Sequence, residues 1–115
     1  MNGTKENEGG LYNMINQAKF NRLFAYAERS SKLRYITPID TVEKLDKWLT
    51  ITYIKSGETD IHILMLRDYI TDNCRTYREL ANKYNCISKA SAYSKVKIGV
   101  CHVIKCYNKY HEFYV

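Results

Sequence analysis

Apolar residues recur at three- and four-residue steps along most of this chain. Leu11, Met14, Ile15, Ala18, Leu23 and Ala27 fall on one such stripe, with Phe20, Phe24 and Tyr26 beside it. That spacing predicts an amphipathic helix of about 20 residues, ending near Arg34. Pro38 pushes Thr37 out of the helical region, so an extended connection follows. Asp40, with Glu43 three positions on, is the expected cap of a second helix. Its buried stripe is Val42, Leu45, Trp48, Leu49 and Thr52, and Gly57 is placed to close it in a left-handed conformation. The β-branched and aromatic stretch LTITYI at 49–54 also reads as a strand, but the stripe runs through it and favours helix. A third helix is expected from Thr59 or Asp60. Ile61, Leu64, Met65 and Ile70 would form its apolar face, widened by Ile63, Leu66 and Tyr69, and TDNCR breaks it.

The next stretch, RTYRELANKYNCISKASAYSKVK at 75–97, carries the densest local signals. Thr76 begins T-Y-R-E, a capping sequence in which Thr and Glu satisfy the first orphan amides of a helix. Leu80 and Ala81 supply an apolar side, with Ala81 small enough for a close helix crossing, and Tyr84 ends the helix. Asn85 stands where the chain reverses, and Asn tolerates the left-handed region. Ile87 is expected to plug the corner. Ser88 can cap a final helix from about Lys89 to Tyr110, with Ala92 and Val96 facing the core. The fold class is therefore all-α: about five helices, a C-terminal helix-turn-helix at about 76–98, and a long last helix. Residues 1–10 are polar, carry three glycines and read as a disordered tail, leaving 11–115 as a single helical domain.

Residues 60–107 resemble region four of sigma factors and the sigma-like helix-turn-helix regulators of bacteria and phages. The resemblance is carried by ILMLRDYI, TYRELANKY, ISKASAYSKV and KIGVCHVIK. Two departures stand out: the turn YNCIS is one residue longer than the LGVS type, and Gly99 lies inside the last helix, at a cost of about 1 kcal/mol relative to Ala. The resemblance covers less than half of the chain. It implies a transcriptional role, with RNA polymerase as one partner.

Charge points the same way. The formal net charge is +6, from 18 basic and 12 acidic residues. Residues 60–115 hold nine basic and five acidic side chains, and the segment from Lys89 to His111 holds five lysines and no acid. An acid-free basic segment favours a polyanion. Lys89, Ser91, Tyr93, Ser94, Lys95 and Lys97 become candidate contacts to double-stranded DNA, with Arg75 and Arg78 as phosphate clamps at the preceding helix. A solvated polar face is the plainer reading of the same residues. The segment HVIKCYNKYHEFY alternates aromatic and basic residues. It suits packing of Tyr107, Tyr110 and Phe113 on the core or in a homodimer, or stacking on single-stranded bases.

Other chemistry is thin. Cys74, Cys86, Cys101 and Cys106 are separated by 11, 14 and 4 residues, without the tight pair of a structural zinc site. They read as buried thiols of a cytoplasmic protein, and the polar N-terminus lacks a signal-peptide pattern. His62, His102 and His111 have no sequence companions for catalysis, and no phosphate loop, metalloprotease or nucleophile-elbow motif occurs. No enzyme activity, metal or cofactor is expected, and no apolar run is long enough to cross a membrane. The reading is a small DNA-binding regulator. Its alternative is a phage or mobile-element protein that inhibits or adapts a host nucleic-acid machine by binding protein.

Overall fold

A computed structural model describes residues 15–31, 39, 41–56 and 60–113, with residues 26–31 as backbone only. Among the described residues five α-helices follow one another: α1 (Gln17–Ser31), α2 (Val42–Ser56), α3 (Ile61–Ile70), α4 (Tyr77–Lys83) and α5 (Lys89–Tyr110), ending in a 3₁₀ turn at His111–Phe113. There is no strand among the described residues. LTITYI lies within α2, where Leu49, Ile51 and Thr52 are buried, so the helical stripe wins over β propensity. The buried hydroxyl of Thr52 donates to the Trp48 carbonyl at 2.6 Å, which lets a polar residue sit on that stripe.

The architecture is organised around α5, which packs against each of the other four helices and most extensively against α3. Its Ala92, Val96, Val100, Val103 and Ile104 are fully buried against Ile63, Met65, Leu66 and Ile70 of α3 and Leu45 and Leu49 of α2. Trp48 meets Tyr107 edge-on at 5.0 Å, as the stripe of α2 predicts for a core tryptophan. Gly99 lies where α3 and α5 cross. A methyl group there would fall 2.5 Å from the His62 carbonyl oxygen, so only glycine permits this approach.

The start of α1 is tied to the far end of α3. The Asn16 amide donates to the Ile70 carbonyl at 2.6 Å. Lys19 is buried to 11% exposure, and its ammonium donates to Asp72 at 2.6 Å and to the carbonyls of Tyr69 and Arg75. One side chain thus holds three points of the α3–α4 connection, where Asp72 takes a left-handed φ of 59°.

Several expectations are corrected. The first described helix begins at Gln17, with Ile15 and Asn16 outside it, and Ala18, placed on its apolar stripe, is exposed. Leu11, Met14, Arg34, Pro38, Asp40, Gly57 and the proposed tail lie outside the described residues. Thr41 accepts from the Lys44 amide and so caps α2. On α3 the buried face is Ile63, Met65, Leu66 and Ile70, while Ile61 is 41% exposed and Leu64 half-buried. All four buried residues lie on the expected face or its widening, and the face is centred toward Ile63 and Leu66 rather than Ile61 and Leu64. Phe113 is exposed, whereas Tyr107 is buried and Tyr110 half-buried. Cys74 and Cys106 are buried, Cys86 and Cys101 half-buried, and none of the four is in a disulfide. No helix among the described residues is long and apolar enough to cross a membrane.

Candidate nucleic-acid interface

The pair α4–α5 is built from its caps inward. The Thr76 hydroxyl accepts from the Glu79 amide at 3.1 Å, and Glu79 reaches back to the Arg75 amide at 3.0 Å, one residue earlier than in the usual capping box. Asn85 takes φ 56°, as expected of the reversal, and the Cys86 amide donates to the Ala81 carbonyl at 2.8 Å to close the turn. The Ser88 hydroxyl accepts from the Ser91 amide at 3.1 Å and starts α5. Leu80 and Ala81 are buried on α4, as are Ala92 and Val96 on α5. This is a helix-turn-helix in geometry. Ile87 does not plug the corner: it is 97% exposed at the tip of the turn, and the half-buried Cys86 packs on the core instead.

Aspartate 68 ties this pair to α3. Its carboxylate accepts from the Lys83 ammonium at 2.8 Å, the Tyr84 hydroxyl and the Asn73 amide. Burial works against its charge, but these donors outweigh burial and hold the carboxyl below the ordinary range. Three tyrosines form a second tie. Tyr69 stacks on Tyr77 at 4.3 Å, and Tyr77 meets Tyr93 edge-on at 5.0 Å, so α3, α4 and α5 share one aromatic row. The Lys19 ammonium covers one end over Tyr69, and the Lys97 ammonium lies 4.3 Å from the Tyr93 ring centre at the other.

Arg75 and Arg78 are exposed, and with Lys89 they line a groove of about 510 Å³ shared with Tyr69, Thr76 and Tyr77. Three of the candidate cations, distant in the chain by up to 14 positions, therefore face one concavity. The remaining candidates divide. Ser94 is exposed and Ser91 half-buried on the outward side of α5, opposite Ala92 and Val96. Lys95 and Lys97 are half-buried on the two flanks of that side, and Tyr93 is half-buried with its ring committed to the aromatic row. The outward row itself runs Ala90, Ser94, Ile98, with Ile98 41% exposed and Ile87 beyond its start. Sequence reasoning passed over the apolar members because it looked for charge; the four-residue step from Ala90, offset from the Ala92–Val96–Val100 row, would have found them.

A separate cluster joins the start of α3 to the middle of α5. Asp60 caps α3, its Oδ1 accepting from the His62 and Ile63 amides at 3.1 and 3.2 Å. His102 Nδ1 lies 2.8 Å from Asp60 Oδ2, and His62 Nδ1 lies 3.5 Å from Oδ1. Burial opposes the charge of Asp60, and the His102 contact and the two amides more than offset it, leaving the carboxyl below its usual range. Among the described residues these three are the group with metal-ligating atoms gathered closely enough for one ion. They were invisible to spacing, because His62 and His102 are 40 residues apart.

Comparison of the chain with family models, curated proteins and solved structures returns no significant match. The likeness to sigma region four rests on the quoted residues alone.

Proposed function

We propose that this protein is a small cytoplasmic regulator that binds double-stranded DNA through α4 and α5. The reading is carried by the convergence of Arg75, Arg78 and Lys89 on one groove beside the outward row of α5. The acid-free lysine segment supplies long-range attraction to the phosphate ladder. The two arginines, with planar forks suited to phosphate oxygens, and Lys89 then fix orientation. The outward row enters a major groove, where the Ser91 and Ser94 hydroxyls reach base edges and Ala90, Ile87 and Ile98 meet thymine methyl groups. Lys95 and Lys97, on the flanks, suit phosphates either side of the groove. This assignment gives Tyr93 a packing role.

Reversing the groove charges tests it. The variant Arg75→Glu/Arg78→Glu/Lys89→Glu is expected to lose at least about 100-fold in duplex affinity at low salt, each lost phosphate contact removing attraction and adding repulsion. Its far-UV helicity should match wild type, since all three side chains are exposed. Undiminished duplex binding by a folded variant would exclude this groove.

The exposed Ile87 and Ile98 favour a second reading, in which the same face grips a host nucleic-acid machine such as RNA polymerase. Apolar contact of that kind loses little affinity as salt rises, which separates it from phosphate binding.

A further inference from the structure

We infer that Asp60, His62 and His102 form a binding site for one divalent transition-metal ion that ties α3 to α5. Two imidazoles from different helices converge on one carboxylate. The ligating atoms of the three residues all lie within 4.8 Å of one another. His102 Nδ1 lies 2.8 Å from Asp60 Oδ2 and His62 Nδ1 3.5 Å from Oδ1, separations close to those of neighbouring ligands around a metal with bonds of about 2.0–2.1 Å, with the two carboxylate oxygens each facing one imidazole. The donor set of two nitrogens and a carboxylate oxygen suits zinc, cobalt or nickel rather than calcium or magnesium.

The supporting frame is rigid. The Asp60 side chain is 4% exposed and its Oδ1 is fixed by two amides, as carboxylates of metal sites are held by neighbouring donors. Gly99, one turn before His102, lets α5 lie directly on the His62 backbone. That approach brings the third ligand within reach of the other two. Asp60 and His102 also border an open cavity of about 310 Å³, so solvent reaches the metal from that side and fills its remaining positions. Lys55, Lys105 and Lys109 line the same cavity and oppose a bare cation. Hydroxide or a small anion on the metal's outer positions meets both demands. Cys106, one turn beyond His102, is outside the cluster, and its thiol is engaged by Thr52. The inference does not depend on the DNA reading: about 20 Å of helix separates His102 from Lys89.

Metal-free protein titrated with Co²⁺ and Zn²⁺ tests the site. One equivalent of Co²⁺ is expected to bind with visible bands and without the near-ultraviolet charge-transfer absorption of thiolate ligands. Zn²⁺ should compete for it and raise the thermal unfolding midpoint. His62→Gln and His102→Gln should each weaken binding at least about tenfold. Where a variant fails to fold, imidazole nitrogen–proton spectra of the wild type decide: Zn²⁺ should shift His62 and His102 and leave His111 in place. Binding that brings thiolate absorption, binding unaffected in folded His variants, shifts confined to His111, or no binding at one equivalent would each overturn the site.

Discussion

Gly99 looks, in sequence, like a weak point in a helix. In the structure it is the contact surface of α5 on α3. Alanine there gains about 1 kcal/mol of helix propensity but sets a methyl group 2.5 Å from a backbone oxygen and 3.2 Å from Leu66 Cβ. A backbone carbonyl cannot swing aside, so the helices must part. Gly99→Ala is expected to be destabilising by a net of about 1–3 kcal/mol, read as a lower urea midpoint at unchanged slope; a raised midpoint would contradict the close crossing. Asp68 gives a pH signature. Its folded-state carboxyl titrates below the unfolded value of about 3.9, so its stabilising effect is complete above that value and is lost as pH falls through the folded one. Asp68→Asn should therefore cost stability at pH 6 and flatten the decline below pH ~4. An unchanged acid limb would show that the Lys83 and Tyr84 contacts do not hold its charge. Neither role was legible in the chain. Glycine reports that a side chain is unwelcome but not what lies opposite, and Asp68 finds Lys83 and Tyr84 only once α4 has folded back on α3.

Elements defined by local chemistry were read most closely. Thr76, Asn85 and Ser88 act within a few residues of themselves, so the boundaries of α4, the reversal and α5 follow from their own side chains. Ser88→Ala removes the acceptor for the Ser91 amide and is expected to cost about 1 kcal/mol in chemical unfolding; no loss would mean that solvent serves that amide equally well. Features set by packing partners were read less well. Ile87, an apolar residue of the turn, is the one expected to plug the corner. The longer turn instead puts Cys86 in that position and leaves Ile87 outside. The centre of the buried face of α3 is blurred for a related reason: seven of the ten residues of IHILMLRDYI are apolar or aromatic, so spacing finds Ile63, Met65, Leu66 and Ile70 but cannot separate them from Ile61 and Leu64. The candidate interface divides likewise. Arg75, Arg78 and Lys89 were found by charge, whereas the commitment of Tyr93 to Tyr77 required coordinates.

At the scale of the whole molecule, Arg75, Arg78 and Lys89 meet in one groove beside the start of the last helix. The half of α5 that begins at Lys89 carries the outward row beside the arginine groove, and the half that ends at Tyr110 meets Trp48 of α2 through Tyr107 and Asp60 at the start of α3 through His102. Such a division gives a long helix two tasks, one as the central column of the core and one as a surface. The most direct test of the surface task is the affinity of the full chain for random-sequence duplex DNA between 50 and 200 mM salt. Contact with three to five phosphates through Arg75, Arg78, Lys89 and the flanking lysines should give a slope of log affinity against log salt of about −2.7 to −4.5. Absence of binding at 50 mM salt, or an affinity that stays constant across the series, would contradict the account.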